Sequence, residues 1–190
     1  MIFNVEQDEI LNLVDTMLKE HSGYGWGHFQ GDVVPRILTD FANKHLPINM
    51  KIVGPNVYIK DISTEFDLMV VDSNAYPIHF TSSYSPEHII CIIEVKRQGI
   101  IGNIDNFKKS ADKIKGNFDK AVSEANCRAA YITVSETVNP SRKTSNQYWK
   151  ITKQHLSPYQ AFVLRDSRNN ETQYGEWRHF IEYITSERVS

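Results

Sequence analysis

Apolar positions recur at helical spacing from the start of the chain. Ile10, Leu13, Val14, Met17 and Leu18 share one side of a helix over 5–20. The stretch His21-Ser22-Gly23-Tyr24-Gly25-Trp26-Gly27-His28 then breaks it. Its alternating glycines have the look of a phosphate loop, but no strand precedes them and no Gly-Lys-Ser/Thr follows, so a connection between helices is expected. A second stripe, Val33, Val34, Ile37, Leu38, Phe41 and Ala42, predicts a helix over about 32–45. Pro35 suits its first turn, where a missing N–H is not needed, and this makes Asp32 an N-cap or first-turn acid.

Residues 51–60 read as a strand with a break at Gly54-Pro55-Asn56. Two short apolar runs, 65–72 and 89–96, have the length and β-branched content of strands. The linker between them, with Pro77 and Pro86, is long enough to make them antiparallel neighbours. The clearest amphipathic helix follows, with Ile104, Phe107, Ala111, Ile114, Phe118, Ala121, Val122 and Ala125 on one face. Lys108, Lys109, Lys113, Lys115 and Lys120 occupy the other. Residues 129–135 and 161–164 read as strands, 139–157 as polar, basic and turn-rich, and 175–187 as a terminal helix. This order predicts an α/β (α+β) chain with a mixed central sheet flanked by helices.

A length of 190 residues suits one domain with a sizeable core. The apolar share of 41% and charged share of 23% are those of a globular protein. No apolar run reaches the roughly 18–20 residues of a membrane span, and the acidic first segment is unlike a secretory signal. Cys91 and Cys127 cannot form a disulfide framework, so a reduced, cytoplasmic protein is expected. The net charge of −2 hides an uneven distribution. Residues 1–40 hold seven acidic and two basic side chains, whereas 96–155 hold twelve basic and five acidic ones. Arg142, Lys143, Lys150 and Lys153 lie in a stretch without acids, and either a phosphate-binding patch or a solvated face would account for it. Tyr148 and Trp149 beside these lysines could stack on bases or anchor the core.

Charge inside the two apolar runs changes the picture most. Asp67 lies within Glu65-Phe66-Asp67-Leu68-Met69-Val70-Val71-Asp72, and Glu94 and Lys96 end Ile89-Ile90-Cys91-Ile92-Ile93-Glu94-Val95-Lys96. Buried charge is costly unless it is paired or bound to a metal. Strand alternation puts Glu94 and Lys96 on one face, and a neighbouring strand would bring Asp67 beside Glu94. Two adjacent carboxylates repel, a penalty that Mg²⁺ or Mn²⁺ removes. Such a metal lowers the pKa of a bound water, and Lys96 would orient that water or stabilise charge on a phosphate. Glu65 and Asp72 read as solvated strand-end acids. Gln98 either extends the polar row or belongs to a loop. His21, His28 and His45 lack zinc-ligand spacing.

The pattern resembles the PD-(D/E)XK phosphodiesterase superfamily, the restriction-endonuclease-like fold. Asp67 matches its aspartate and Glu94-Val95-Lys96 its (D/E)-x-K, over a core of about 28–165 with the helices 5–20 and 175–187 as additions. The resemblance implies Mg²⁺ held by Asp67, Glu94 and the Val95 backbone carbonyl, with Lys96 serving the attacking water. A narrower likeness is to an uncharacterised bacterial branch with Gly-Glu-x-Arg-Glu on its leading helix. Here Gly27-His28-Phe29-Gln30-Gly31-Asp32, Leu46-Pro47, Ser63-Thr64-Glu65-Phe66-Asp67 and Asp72 follow its order. His28 replaces the first acid, Gly31 the Arg, and Asp32 keeps the second acid as a further candidate ligand. Phe66 stands for the family's Pro, and no Gln-x-x-x-Tyr follows.

The expected activity is that of a Mg²⁺-dependent deoxyribonuclease, in a host-defence or restriction setting by analogy. Lys108, Lys109, Lys113, Lys115, Arg142, Lys143, Lys150 and Lys153 are its candidate DNA contacts, and a homodimer or a partner subunit is compatible. The alternative is a weakly active or inactive nuclease-fold subunit that binds nucleic acid or serves assembly. A third reading is an unrelated α/β interaction domain in which Glu94 and Lys96 form a structural pair.

Overall fold

The computed structural model describes residues 2–20, 26–79, 81–98, 104–135, 148–166 and 171–186. Two helices, α1 (Ile2–Glu20) and α2 (Trp26–Ala42), lead into strands β1 (Met50–Val53), β2 (Val57–Ile59), β3 (Glu65–Phe66), β4 (Leu68–Asp72) and β5 (Ser83–Tyr84). A 3₁₀ turn at Pro86–His88 precedes the longest strand, β6 (Ile89–Gln98). Then come α3 (Ile104–Ala125), β7 (Arg128–Ser135), α4 (Tyr148–Leu156), β8 (Gln160–Val163), the short pair β9 (Arg165–Asp166) and β10 (Glu171–Thr172), and α5 (Glu176–Thr185).

The central sheet has the order β1-β4-β6-β7-β8. Its first three strands are antiparallel, whereas β6, β7 and β8 run parallel, with α3 and α4 as the crossovers. Strands buried on both faces need no polar alternation, and this is why Leu68–Val71 and Ile89–Ile93 read as continuous apolar runs. Val70 pairs with Cys91 but Val71 with Ile89, so Ile90 is the extra residue of a β-bulge. Beyond it, Cys91, Ile93 and Val95 face α1, α2 and α5, and Ile92 faces α3 and α4. A second, three-stranded sheet, β3-β2-β5, adjoins the first.

Buried polar contacts hold α1 to the C-terminal segment. The fully buried Gln7 side chain donates to the Leu164 and Gln173 carbonyls at 2.8 and 2.9 Å and accepts from the Trp177 amide at 3.2 Å. Glu6 accepts from the Trp177 indole at 3.0 Å and contacts the His45 ring at 2.7 Å. Arg165 makes two bonds to Asp15, at 2.7 and 2.8 Å. Arg128 donates to the Tyr183, Ile184 and Ser186 carbonyls, closing the free carbonyl end of α5.

Three local expectations need correction. The second helix begins at Trp26, so Asp32 and Pro35 lie in its interior and Asp32 is no N-cap. Buried Val34, Leu38 and Phe41 offset what the proline and glycines cost the helix. The run 65–72 is two strands in different sheets, parted at Asp67. Part of the stretch expected to be turn-rich, Tyr148–Leu156, is a helix anchored by Ile151, Thr152 and Leu156.

Two outcomes follow for stability. The Gln173 and Glu176 amides also donate to the Leu164 and Gln173 carbonyls, so replacing Gln7 by Leu strands one buried group, the Trp177 N–H, and should lower unfolding free energy by about 1–3 kcal/mol in a denaturant titration. Gly54 has φ +138°, and a Cβ there would lie 2.5 Å from the Asp67 carbonyl oxygen and 2.7 Å from Leu68 Cδ2. Gly54→Ala should therefore cost roughly 2 kcal/mol or more by the same measurement.

Candidate functional site

The pairing of β4 with β6 ends at Leu68 and Ile93, while β6 runs on beside β7 to Gln98. Past that point the amide of Val95 has no β4 rung to join. The Asp67 side chain takes its place, its Oδ2 accepting from the Val95 N–H at 2.7 Å. A strand residue directs its N–H and C=O to the same side, so the Val95 carbonyl faces the Asp67 edge. Gly54 backs the Asp67 carbonyl from the β1–β2 turn, and only a residue without Cβ allows that approach.

Glu94 and Lys96 alternate with Val95 and share the Ile92 face, the one covered by α3 and α4. Lys96 Nζ lies 2.5 Å from Glu94 Oε1 and 3.6 Å from Asp67 Oδ2. The carboxylate side chains are 24% and 17% exposed and the lysine 37%, so the trio is recessed yet open on one side. Burial pushes the Asp67 carboxyl up, and this outweighs the opposing pull of Lys96 and of the Val95 N–H. Burial also pushes Glu94 up; Lys96 opposes that, Asp67 adds to it and Lys113 of α3 opposes it. Burial acts to lower the Lys96 pKa, but the two carboxylates more than offset it and the net shift is upward.

The structure thus brings Asp67, Glu94, Lys96 and the Val95 backbone together. Among the described residues Asp32 forms no metal cluster with Asp67 and Glu94, and α2 packs its Val34, Ile37, Leu38 and Phe41 on the opposite face, with Val95. Among the described residues no three acidic, histidine or cysteine side chains gather as a metal cluster. The donors available are two anionic carboxylates and a backbone carbonyl, all hard oxygen, and an ammonium already occupies the space between the carboxylates. That set fits Mg²⁺ or Mn²⁺ rather than a softer ion.

Lys108, Lys109 and Lys113 are exposed on α3, and Lys115 is half-buried. Lys113 is the one whose charge reaches Glu94. Lys153 is held at 2.8 Å by Glu176, whose other oxygen accepts from the Val163 amide at 3.1 Å, so it anchors α4 to α5. Trp149 lies beside Lys150 and Lys153, 5.3 and 5.5 Å from its ring centre. Arg142 and Lys143 lie outside the described residues.

Two neighbours border the site: Glu65, expected as a solvated strand-end acid, and Tyr58, for which the sequence raised no expectation. Glu65 is exposed, accepts from the Tyr58 hydroxyl across the β2–β3 pair, and its charge adds to the upward push on Asp67. The spacing Glu65-x-Asp67 carried that signal, since alternate strand residues share a face. Tyr58 carried none, because the β2–β3 register depends on the turn at Gly54 and on residues 60–64.

No protein family matches the sequence, and no curated protein resembles it in sequence. Solved structures do resemble it in shape. NucC of P. aeruginosa ATCC27853 in its cAAA-bound form aligns over 100% of this chain and 93% of its own, with TM-score 0.64 and 12% identity. NucC of E. coli MS115-1, also cAAA-bound, aligns over 100% and 92%, with TM-score 0.64 and 11% identity. Its apo form aligns over 95% and 92%, with TM-score 0.50 and 10% identity. At such identities the likeness is one of fold: the chain shares with NucC a mixed α/β architecture with a central sheet flanked by helices.

Proposed function

We propose that this chain is a metal-dependent nuclease of the PD-(D/E)XK type that hydrolyses phosphodiester bonds in DNA. The observation that carries the reading is the recessed trio of Asp67, Glu94 and Lys96 at the open end of the β4–β6 pair. The fold shared with NucC supports it. Asp67, Glu94 and the Val95 carbonyl would hold Mg²⁺ or Mn²⁺. Such an ion, when bound, lowers the pKa of water and polarises a phosphate oxygen. The Val95 N–H fixes the Asp67 carboxylate. The Lys96 ammonium orients the attacking water and stabilises charge developing on the phosphate. Lys113, close to Glu94, and the exposed Lys108 and Lys109 present positive charge to the nucleic-acid backbone on the same side of the sheet.

A second reading, a nuclease-fold subunit that binds nucleic acid with little turnover, draws on the absence of a three-acid cluster that includes Asp32 among the described residues. With no acid from the leading helix at the site, the metal has two side-chain ligands among the described residues.

Cleavage of plasmid, linear and single-stranded DNA with Mg²⁺, with Mn²⁺ and with chelator separates the two. On the nuclease reading, chelator abolishes cleavage. Asp67→Ala leaves less than about 1% of the activity, since even residues behind a metal ligand matter 10–100-fold. Lys96→Ala costs about 10²–10³-fold. Metal-independent binding with no cleavage by any form would favour the second reading. Because two NucC structures hold cAAA, one arm of the assay adds it.

Acid–base behaviour gives an independent check. The native pKa of Glu94 stands above its ordinary 4.5, so the unfolded state gives up this proton first as pH rises. Its ionisation therefore costs stability in the metal-free protein, fully above the raised native pKa and not at all below about pH 4. Glu94→Gln should thus have a higher melting temperature than wild type at pH 8 in chelator, by a few degrees, and the difference should shrink toward pH 4. An unchanged gap across that range would contradict the burial argument.

A further inference from the structure

Lys96 stands where a cation bound to both carboxylates would stand. Its Nζ is 2.5 Å from Glu94 Oε1 and 3.6 Å from Asp67 Oδ2. We propose that the Lys96 ammonium is a placeholder that a divalent metal displaces, so that filling the site itself moves the lysine out toward substrate. The inference rests on the metal-dependent reading given above.

The partners differ in their freedom to move. Asp67 is pinned by the Val95 amide at 2.7 Å and backed by Gly54. Glu94 leaves a strand whose register with β7 is fixed at Tyr131. Lys96 hangs on a four-carbon stem, is the most exposed of the three side chains and has an open side to retreat to. A divalent ion held by both carboxylates would crowd the ammonium that now contacts them, and two cations so close repel strongly in a recessed site. Without metal, the same ammonium prevents two recessed carboxylates from facing each other uncompensated. One residue thus fills two positions in turn: between the acids in the empty protein, and beside the reacting phosphate in the loaded one.

Calorimetric titration with Mn²⁺ at pH 8 tests this on wild type, Lys96→Met, Lys96→Gln and Glu94→Gln. Removing the competitor should tighten Mn²⁺ binding about tenfold or more in both Lys96 variants, the scale on which an opposite charge at this range biases a carboxylate. Proton-detected NMR of the lysine ammonium groups supplies the second readout. The signal missing from the Lys96→Met spectrum should shift or vanish when Mg²⁺ saturates wild type, while that of Lys153, paired with Glu176, stays in place. Mn²⁺ binding by the Lys96 variants no tighter than by wild type would overturn the proposal and leave the metal reading standing. A Lys96 signal unmoved by saturating Mg²⁺ would do the same. Absence of Mn²⁺ binding in all four proteins would overturn both together.

Discussion

Two carboxylates drawn out of water at one strand edge set the terms for this structure. Burial pushes both Asp67 and Glu94 upward, which means the fold holds them where their charged forms are disfavoured. What makes the arrangement tenable is mutual satisfaction. Asp67 occupies the hydrogen-bonding position that β4 vacates, so the Val95 amide is not left unpaired. Lys96 supplies the opposing charge to both acids. Removal of Lys96 leaves two recessed carboxylates without an opposing charge, and removal of Asp67 leaves the Val95 amide without its partner, the costly cases for a recessed polar network.

The surrounding elements serve that edge. Asp67 lies at the point where the chain passes from the three-stranded sheet to the five-stranded one, so its side chain belongs to neither ladder. The β1–β2 turn presses a glycine against its carbonyl. The bulge at Ile90 resets β6 so that Ile92, Glu94 and Lys96 share a face and Val95 takes the other. The two faces then divide the work. α1, α2 and α5 cover one with close-packed aliphatic and aromatic residues, locked by the Gln7, Glu6 and Arg165 contacts. α3 and α4 cover the other, where the site opens.

The trio was legible in the sequence because apolar strands advertise charge placed within them: five apolar residues before Glu94 leave few other reasons for it. The antiparallel pairing of β4 with β6 could also be read from the length of the linker between them, and α3 from the unambiguous periodicity of Ile104 to Ala125. What escaped was set by tertiary contact. Gly27, Gly31 and Pro35 each speak locally against a helix, yet burial of Val34, Leu38 and Phe41 carries α2 through them. That misplacement made Asp32 look like a helix-start acid near the site. α4 is short and largely polar, and its anchors Ile151, Thr152 and Leu156 acquire meaning only once β8 and α3 are present. The break at Asp67 has no local signal, because Glu65 to Asp72 has the length and β-branched content of a single strand.

The fold also converts a linear charge asymmetry into a spatial one. The acid-rich first forty residues supply α1 and α2, on the face away from Glu94 and Lys96. The base-rich stretch from 96 to 155 supplies α3 and α4, on the face that carries them. Several of the acids are spent internally: Glu6 on Trp177 and His45, and Asp15 on Arg165. Lys108, Lys109 and Lys113 remain exposed on α3. Asp105, Asp112, Asp119 and Glu124 are exposed on the same helix, Asp105 at 4.0 Å from Lys108, so the positive excess of α3 is small and is concentrated where Lys113 faces Glu94.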